Sequence, residues 1–141
     1  MEWEGLDEGE LRDLAARVAG ALKPGDVVVL AGEVGAGKTA FVRAASRALG
    51  VEEPITSPTF QLARSYEGRA RVNHLDLYRL EEVRDWDALD LDEYLSPEAV
   101  TFIEWADPAL ELLENPTLIE LFHETPGTRR VRISGPLEER L

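Results

Sequence analysis

Val27 to Leu49 reads VVVLA-GEVGAGKT-AFVRAASRAL, and this stretch decides the fold. The apolar run Val27–Ala31 predicts a buried strand, and Ala40 to Leu49 carries helical spacing that stops at Gly50. Between them, residues 32 to 39 match G-x-x-x-x-G-K-[ST], the phosphate-binding P-loop, in the strand–turn–helix order that the motif requires. Glycine at positions 32, 35 and 37 permits backbone conformations that a Cβ disfavours, so consecutive N–H groups converge on a phosphate. The helix starting near Lys38 adds its N-terminal dipole. Lys38 has the reach for the β- and γ-phosphates, and the Thr39 hydroxyl can ligate magnesium. A chance match of these four fixed positions recurs in roughly one chain of this length in a few hundred, and the flanking strand and helix make it rarer still.

Working outward, Leu11, Leu14, Ala15, Val18 and Leu22 form one face of an amphipathic helix that precedes a turn at Lys23–Asp26. Phe60 to Leu75 reads as two strands joined by a turn at Gly68. Residues 81 to 95 are helical or irregular, with Trp86, Leu89 and Tyr94 as core anchors. Val100 to Trp105 forms a buried strand, and Leu118–Phe122 and Arg130–Ser134 two closing strands. With 141 residues and no repeat or linker, the chain is expected to be a single domain, residues 1 to 141. Its class is α/β: a P-loop NTPase-like domain with a largely parallel central sheet, an antiparallel hairpin and flanking helices.

Charge and composition narrow the function. The net charge of −13 repels polyphosphate at long range, which argues against an independent nucleic-acid binder. There are no cysteines, so disulfides and thiolate metal sites are excluded. The acidic start MEWEGLDEGE is unlike a signal or transit peptide, and no apolar run approaches the ~20 residues of a membrane span, so a cytoplasmic location is expected. The one tight basic cluster is Thr128–Arg132, TRRVR: either an exposed strand face, or a local contact to a nucleotide or an acidic partner.

A P-loop needs a metal, and the metal an acid from a neighbouring strand. Glu104 ends VTFIE and Asp76 lies in HLDLYRL, so either carboxylate can face the phosphates from a strand's carboxyl end. His74 alone reads as a satisfied strand histidine. Between the P-loop helix and the hairpin, ITSPTF (Ile55–Phe60) is either a γ-phosphate-sensing switch segment or a rigid surface turn.

GEVGAGKT, SPTF (Ser57–Phe60), HLDLYRL (His74–Leu80) and IEW (Ile103–Trp105), in this order in so short a chain, resemble the TsaE/YjeE family over about Glu8 to Ile133. The resemblance implies a slow ATPase that binds ATP with Mg2+. It also implies a role in the bacterial synthesis of threonylcarbamoyladenosine on tRNA, with a TsaB–TsaD complex as partner. It implies nucleotide contacts from Gly32, Glu33, Val34, Gly35, Ala36, Gly37, Lys38, Thr39 and Ala40, with Glu8 and Gly127 flanking the base. Thr39 and Glu104 then hold the metal, Asp76 and Lys38 support hydrolysis, and Thr59 belongs to the switch segment. Val34 stands where the family usually has Leu. Two rivals are a small-molecule kinase, with Arg64, Arg69 and Arg71 as a small lid, and a non-catalytic nucleotide sensor. A GTPase is disfavoured because the chain lacks an N-K-x-D motif.

Overall fold

The computed structural model describes residues 1–33, 35–55, 63–77 and 91–141. Strands β1 (Glu2–Leu6), β2 (Val27–Ala31), β3 (Ala63–Glu67), β4 (Arg71–Asp76), β5 (Ala99–Glu104), β6 (Thr117–Thr125) and β7 (Thr128–Ser134) make one seven-stranded sheet. Its order is β1-β7-β6-β2-β5-β4-β3. The four central strands, β6-β2-β5-β4, run parallel, and antiparallel partners close both sides: β3 on β4, β7 on β6 and β1 on β7. The α/β reading holds, and so does the parallel centre. The sheet carries two hairpins where the sequence suggested one and a pair of closing strands, and β1 was not anticipated.

Alternation along β2 explains why its sequence is apolar throughout. Val28 and Leu30 face a large core shared with helices α1 (Glu8–Ala21) and α2 (Lys38–Ala48), whereas Val29 faces a smaller core with Leu75, Ile103 and Leu113. β5 is buried at every position for the same reason. Helix α1 starts where its capping allows: Asp7 accepts from the Glu10 N–H at 2.8 Å, and the Glu10 side chain accepts from the Asp7 N–H at 3.2 Å. That reciprocal pair begins the helix three residues before its first apolar position.

Of the anchors expected in residues 81 to 95, Trp86 and Leu89 lie outside the described residues. Tyr94 ends the short helix α3 (Leu91–Tyr94) and packs against the smaller core. Among the described residues no helix is long and apolar enough to cross a membrane.

One ion pair ties the C-terminal turn to the start of β2. Arg140 donates to both Asp26 oxygens at 2.7 and 3.0 Å and to the Ala21 carbonyl at 2.8 Å. Burial alone raises the Asp26 pKa. The hydrogen bonds from Arg140 and the Lys23 N–H, with the charges of both residues, override it and hold the carboxyl below its usual 3.8. A depressed folded-state pKa contributes stability that is present at neutral pH and lost as pH falls through that value. Arg140→Met therefore lowers stability by about 1–2 kcal/mol at neutral pH. Urea denaturation of both proteins should show this gap closing once the pH drops below the ordinary carboxylate range. A gap that persists in acid means the contact acts through packing instead.

Candidate functional site

The P-loop bends between the end of β2 and the start of α2. Gly32 sits at φ 150°, and a Cβ there would lie 2.6 Å from the Leu121 carbonyl oxygen. The loop is thereby pressed against β6 in a way that admits glycine. Gly37 takes the N-cap of α2 in the left-handed region at φ 105° and offers no side-chain cap. The first N–H groups of the helix are thus left for an incoming anion.

Lys38 is buried, and its Nζ donates to the Gly32 carbonyl and stands 3.8 Å above the Trp105 ring. Burial lowers its pKa below 10.5, and the nearby charges of Glu104 and Asp76 only partly oppose this. The ammonium thus rests among loop carbonyls and an aromatic face, where a phosphate supplies a stronger counter-charge. Trp105 itself has φ 58°, an uncommon value for a bulky residue. This strain lies directly after Glu104 and turns the ring back towards the loop.

Strand parity and register gather the acids. Val72 and, on the neighbouring strand, Val100 and Phe102 face the α1/α2 core, so His74, Asp76 and Glu104 project to that same side. In the β4–β5 ladder Asp76 pairs with Glu104, and in β2–β5 Leu30 pairs with Glu104, at the carboxyl ends of all three strands. The Thr39 hydroxyl lies 3.2 and 3.1 Å from the two Glu104 oxygens. His74 Nε2 lies 2.5 Å from Glu104 Oε2. Gly35, Gly37, Lys38, Thr39, Ala40, Asp76, Glu104 and Trp105 line an open cavity of about 300 Å³.

A hydroxyl and a carboxylate are hard oxygen donors of the kind Mg2+ takes, with the remaining positions left to phosphate and water. The described residues contain no group of three or more His, Cys, Asp or Glu able to hold a metal ion by themselves. The donor set therefore fits a nucleotide-borne Mg2+ rather than an all-protein cage.

Across Gly37 and Ala40 lies a second cavity, of about 270 Å³. Leu6 and Leu11 give it an apolar wall, and Glu8, Pro126, Gly127 and Arg129 its rim. Glu8 and Gly127, more than a hundred residues apart, meet here beside the P-loop. Val34 and Thr59 lie outside the described residues.

The sequence left the role of Arg129 open within the cluster Thr128–Arg132. The basic cluster is neither a uniform exposed face nor one contact. Arg129 reaches the P-loop, donating to the Ala36 carbonyl at 3.2 Å and the Gly35 carbonyl at 3.4 Å. Arg130 and Arg132 instead meet Glu2, at 3.3 and 4.0 Å, and stack on Phe122. The arginine lid also fails for two of its members. Arg69 donates to the Ala48 carbonyl at the far end of α2, and Arg71 opens β4 at the end opposite Asp76.

The comparisons with known proteins agree on one family. The family model described as threonylcarbamoyl adenosine biosynthesis protein TsaE matches residues 6–131. Proteins named tRNA threonylcarbamoyladenosine biosynthesis protein TsaE include one from Bacillus subtilis, 36% identical over 75% of this chain and 66% of its own length. One from Treponema pallidum is 40% identical over 80% of this chain and 84% of its own. One from Aquifex aeolicus is 36% identical over 89% and 90%. The chain thus spans just under two thirds of the Bacillus subtilis relative. A crystal structure of Bacillus subtilis YdiB superposes with a TM-score of 0.83 at 27% identity, covering 99% of this chain and 88% of that one. Sequence, fold and family model converge, and the chain belongs to the TsaE family.

Proposed function

We propose that the protein binds ATP with Mg2+, hydrolyses it slowly, and serves threonylcarbamoyladenosine modification of tRNA in the cytoplasm by acting on a TsaB–TsaD transferase complex. The observation that carries the ATP reading is the approach of the Thr39 hydroxyl to both Glu104 oxygens, in the first turn of a P-loop helix without a side-chain cap. The family relationship carries the pathway.

On binding, the phosphates accept the loop N–H groups and Lys38 leaves the Gly32 carbonyl for them. Thr39 and Glu104 would hold Mg2+ arriving with the nucleotide, and the ion would supply positive charge to the phosphates. Asp76 orients the attacking water, whose oxygen bonds to the γ-phosphorus as the bond to the β–γ bridging oxygen breaks; the water's proton passes to the released phosphate, and ADP leaves. The apolar cavity beside Gly37 takes the base, with Glu8 and Gly127 at its rim. The acidic surface fits a factor that leaves tRNA contacts to its partners.

Glu104→Gln should abolish most of the Mg2+ dependence of nucleotide binding and leave metal-free binding within about threefold of the parent. Titrating Mg2+ against ADP affinity reads this, and an unchanged Mg2+ dependence removes Glu104 from the metal. Product analysis separates the rivals, since ADP with free phosphate marks an ATPase and a phosphorylated metabolite a kinase. Affinity capture with and without ATP tests the partner: ATP-dependent recovery of TsaB and TsaD supports the reading, and their absence in both conditions contradicts it.

A further inference from the structure

His74 is fully buried in β4, and its Nε2 meets Glu104, the buried carboxylate among the described residues of the site. Glu104 is 3% exposed, and a carboxylate so buried needs hydrogen-bond donors to hold it. Thr39 supplies one from α2 and His74 a second from β4. Among the described residues the other imidazole nitrogen, Nδ1, is buried without a hydrogen-bond partner. A buried N–H without an acceptor is rarer and costlier than a bare acceptor nitrogen, so the ring proton belongs on Nε2, aimed at Glu104 Oε2. His74 therefore holds Oε2 of the carboxylate from β4, while Thr39 approaches both oxygens from α2. The parallel register that pairs Asp76 with Glu104 sets His74 one step back, beside Phe102, at the diagonal from which a histidine can reach.

We infer that His74 is a positioning residue, which fixes the Glu104 carboxylate by an Nε2–H hydrogen bond in the orientation that receives the nucleotide's Mg2+ together with Thr39. This rests on the metal role of Thr39 and Glu104 proposed above. A ligand held by a partner behind it binds metal better than one free to rotate, and loss of such partners typically weakens metal binding by about 10–100-fold. The same His74 does nothing for the phosphate cradle, which is made by loop N–H groups and Lys38. Its removal is thus selective: Mg2+ dependence moves and metal-free nucleotide binding does not.

The test compares His74→Asn with His74→Gln in the full-length chain. Glutamine places an N–H near the Nε2 position and asparagine falls short, while both are polar and of similar size. ADP affinity is read with a fluorescent ADP derivative, in EDTA and across a Mg2+ titration. The Asn variant should need about 10–100-fold more Mg2+, the Gln variant should stay within about threefold of wild type, and both should match wild type in EDTA. Equal effects of Asn and Gln overturn the inference, as does a loss in EDTA as large as that in Mg2+, which marks a merely structural histidine. Wild-type protein that binds ADP but ignores Mg2+ overturns the metal reading as well, and is recognised before any variant is made. Long-range 1H–15N spectra of wild type add a check that needs no variant to fold: a proton on Nε2 supports the inference, and a bare Nε2 overturns it.

Discussion

Asp76→Asn should lower ATP hydrolysis by ~10² or more while changing ATP affinity by less than about tenfold, under ~1.4 kcal/mol. Asp76 lines the same cavity as Lys38, Thr39 and Glu104 and stands beside Glu104 in register, but it belongs to β4, one strand further from the P-loop. From there it can meet water at the γ-phosphate without making the contacts that hold the nucleotide. Asparagine keeps the shape and the hydrogen-bonding capacity and removes the negative charge. Charge placed at the transferring phosphate is where catalysis of this kind is concentrated, so the loss falls on turnover rather than binding. Single-turnover hydrolysis and equilibrium binding, measured on the same preparation, read the two effects separately. Hydrolysis at the parental rate makes Asp76 a structural acid. The variant also divides two functional readings. Failure to support tRNA modification, with ATP and partner binding intact, makes turnover part of the mechanism, and normal modification makes the protein a nucleotide sensor.

Lys38→Ala should remove tight ATP binding, with a loss of roughly 1.5–3 kcal/mol, or about 10–150-fold in Kd. In the structure the ammonium is buried on the Gly32 carbonyl and the Trp105 ring, and burial depresses its pKa. The resting fold therefore gains little from this charge, whereas a bound polyphosphate gains much. Thermal unfolding without nucleotide should stay close to the parent's, and the stabilisation that ATP confers on the parent should largely vanish. Unchanged ATP affinity in a folded Lys38→Ala protein contradicts the phosphate role of the loop.

Much of the site was readable because its core is local. β2, the glycine turn and α2 are contiguous, and each carries its own signal: an apolar run, fixed glycines, and helical spacing. Glu104 and Asp76 were readable as acids ending apolar strands, and their convergence follows from the parallel order that such strands adopt.

What stayed hidden depends on pairing across distance. β1 reads EWEGL, whose exposed glutamates resemble a polar leader. It becomes a strand because β7 offers an edge and sets Glu2 opposite Arg132. Arg129 reaches carbonyls 93 and 94 residues away, and no local pattern reports that. His74 looked like an ordinary strand histidine because its partner lies 30 residues on, in a strand whose register alone brings the two together. The start of α1 was marked in the sequence, by Asp7 and Glu10 in capping-box spacing, and the apolar periodicity drew the reading past it to Leu11.

The most direct test is a crystal structure of the protein with Mg2+ and a non-hydrolysable ATP analogue. It should show the phosphates on the N–H groups of residues 35 to 39 and Lys38 moved off the Gly32 carbonyl. Oxygens of Thr39 and Glu104 should lie about 2.0–2.1 Å from the metal, with Asp76 outside its coordination shell. Glu104 remote from a metal held by Asp76 reverses the roles of the two acids, and a nucleotide bound away from residues 32 to 39 contradicts the account at its centre.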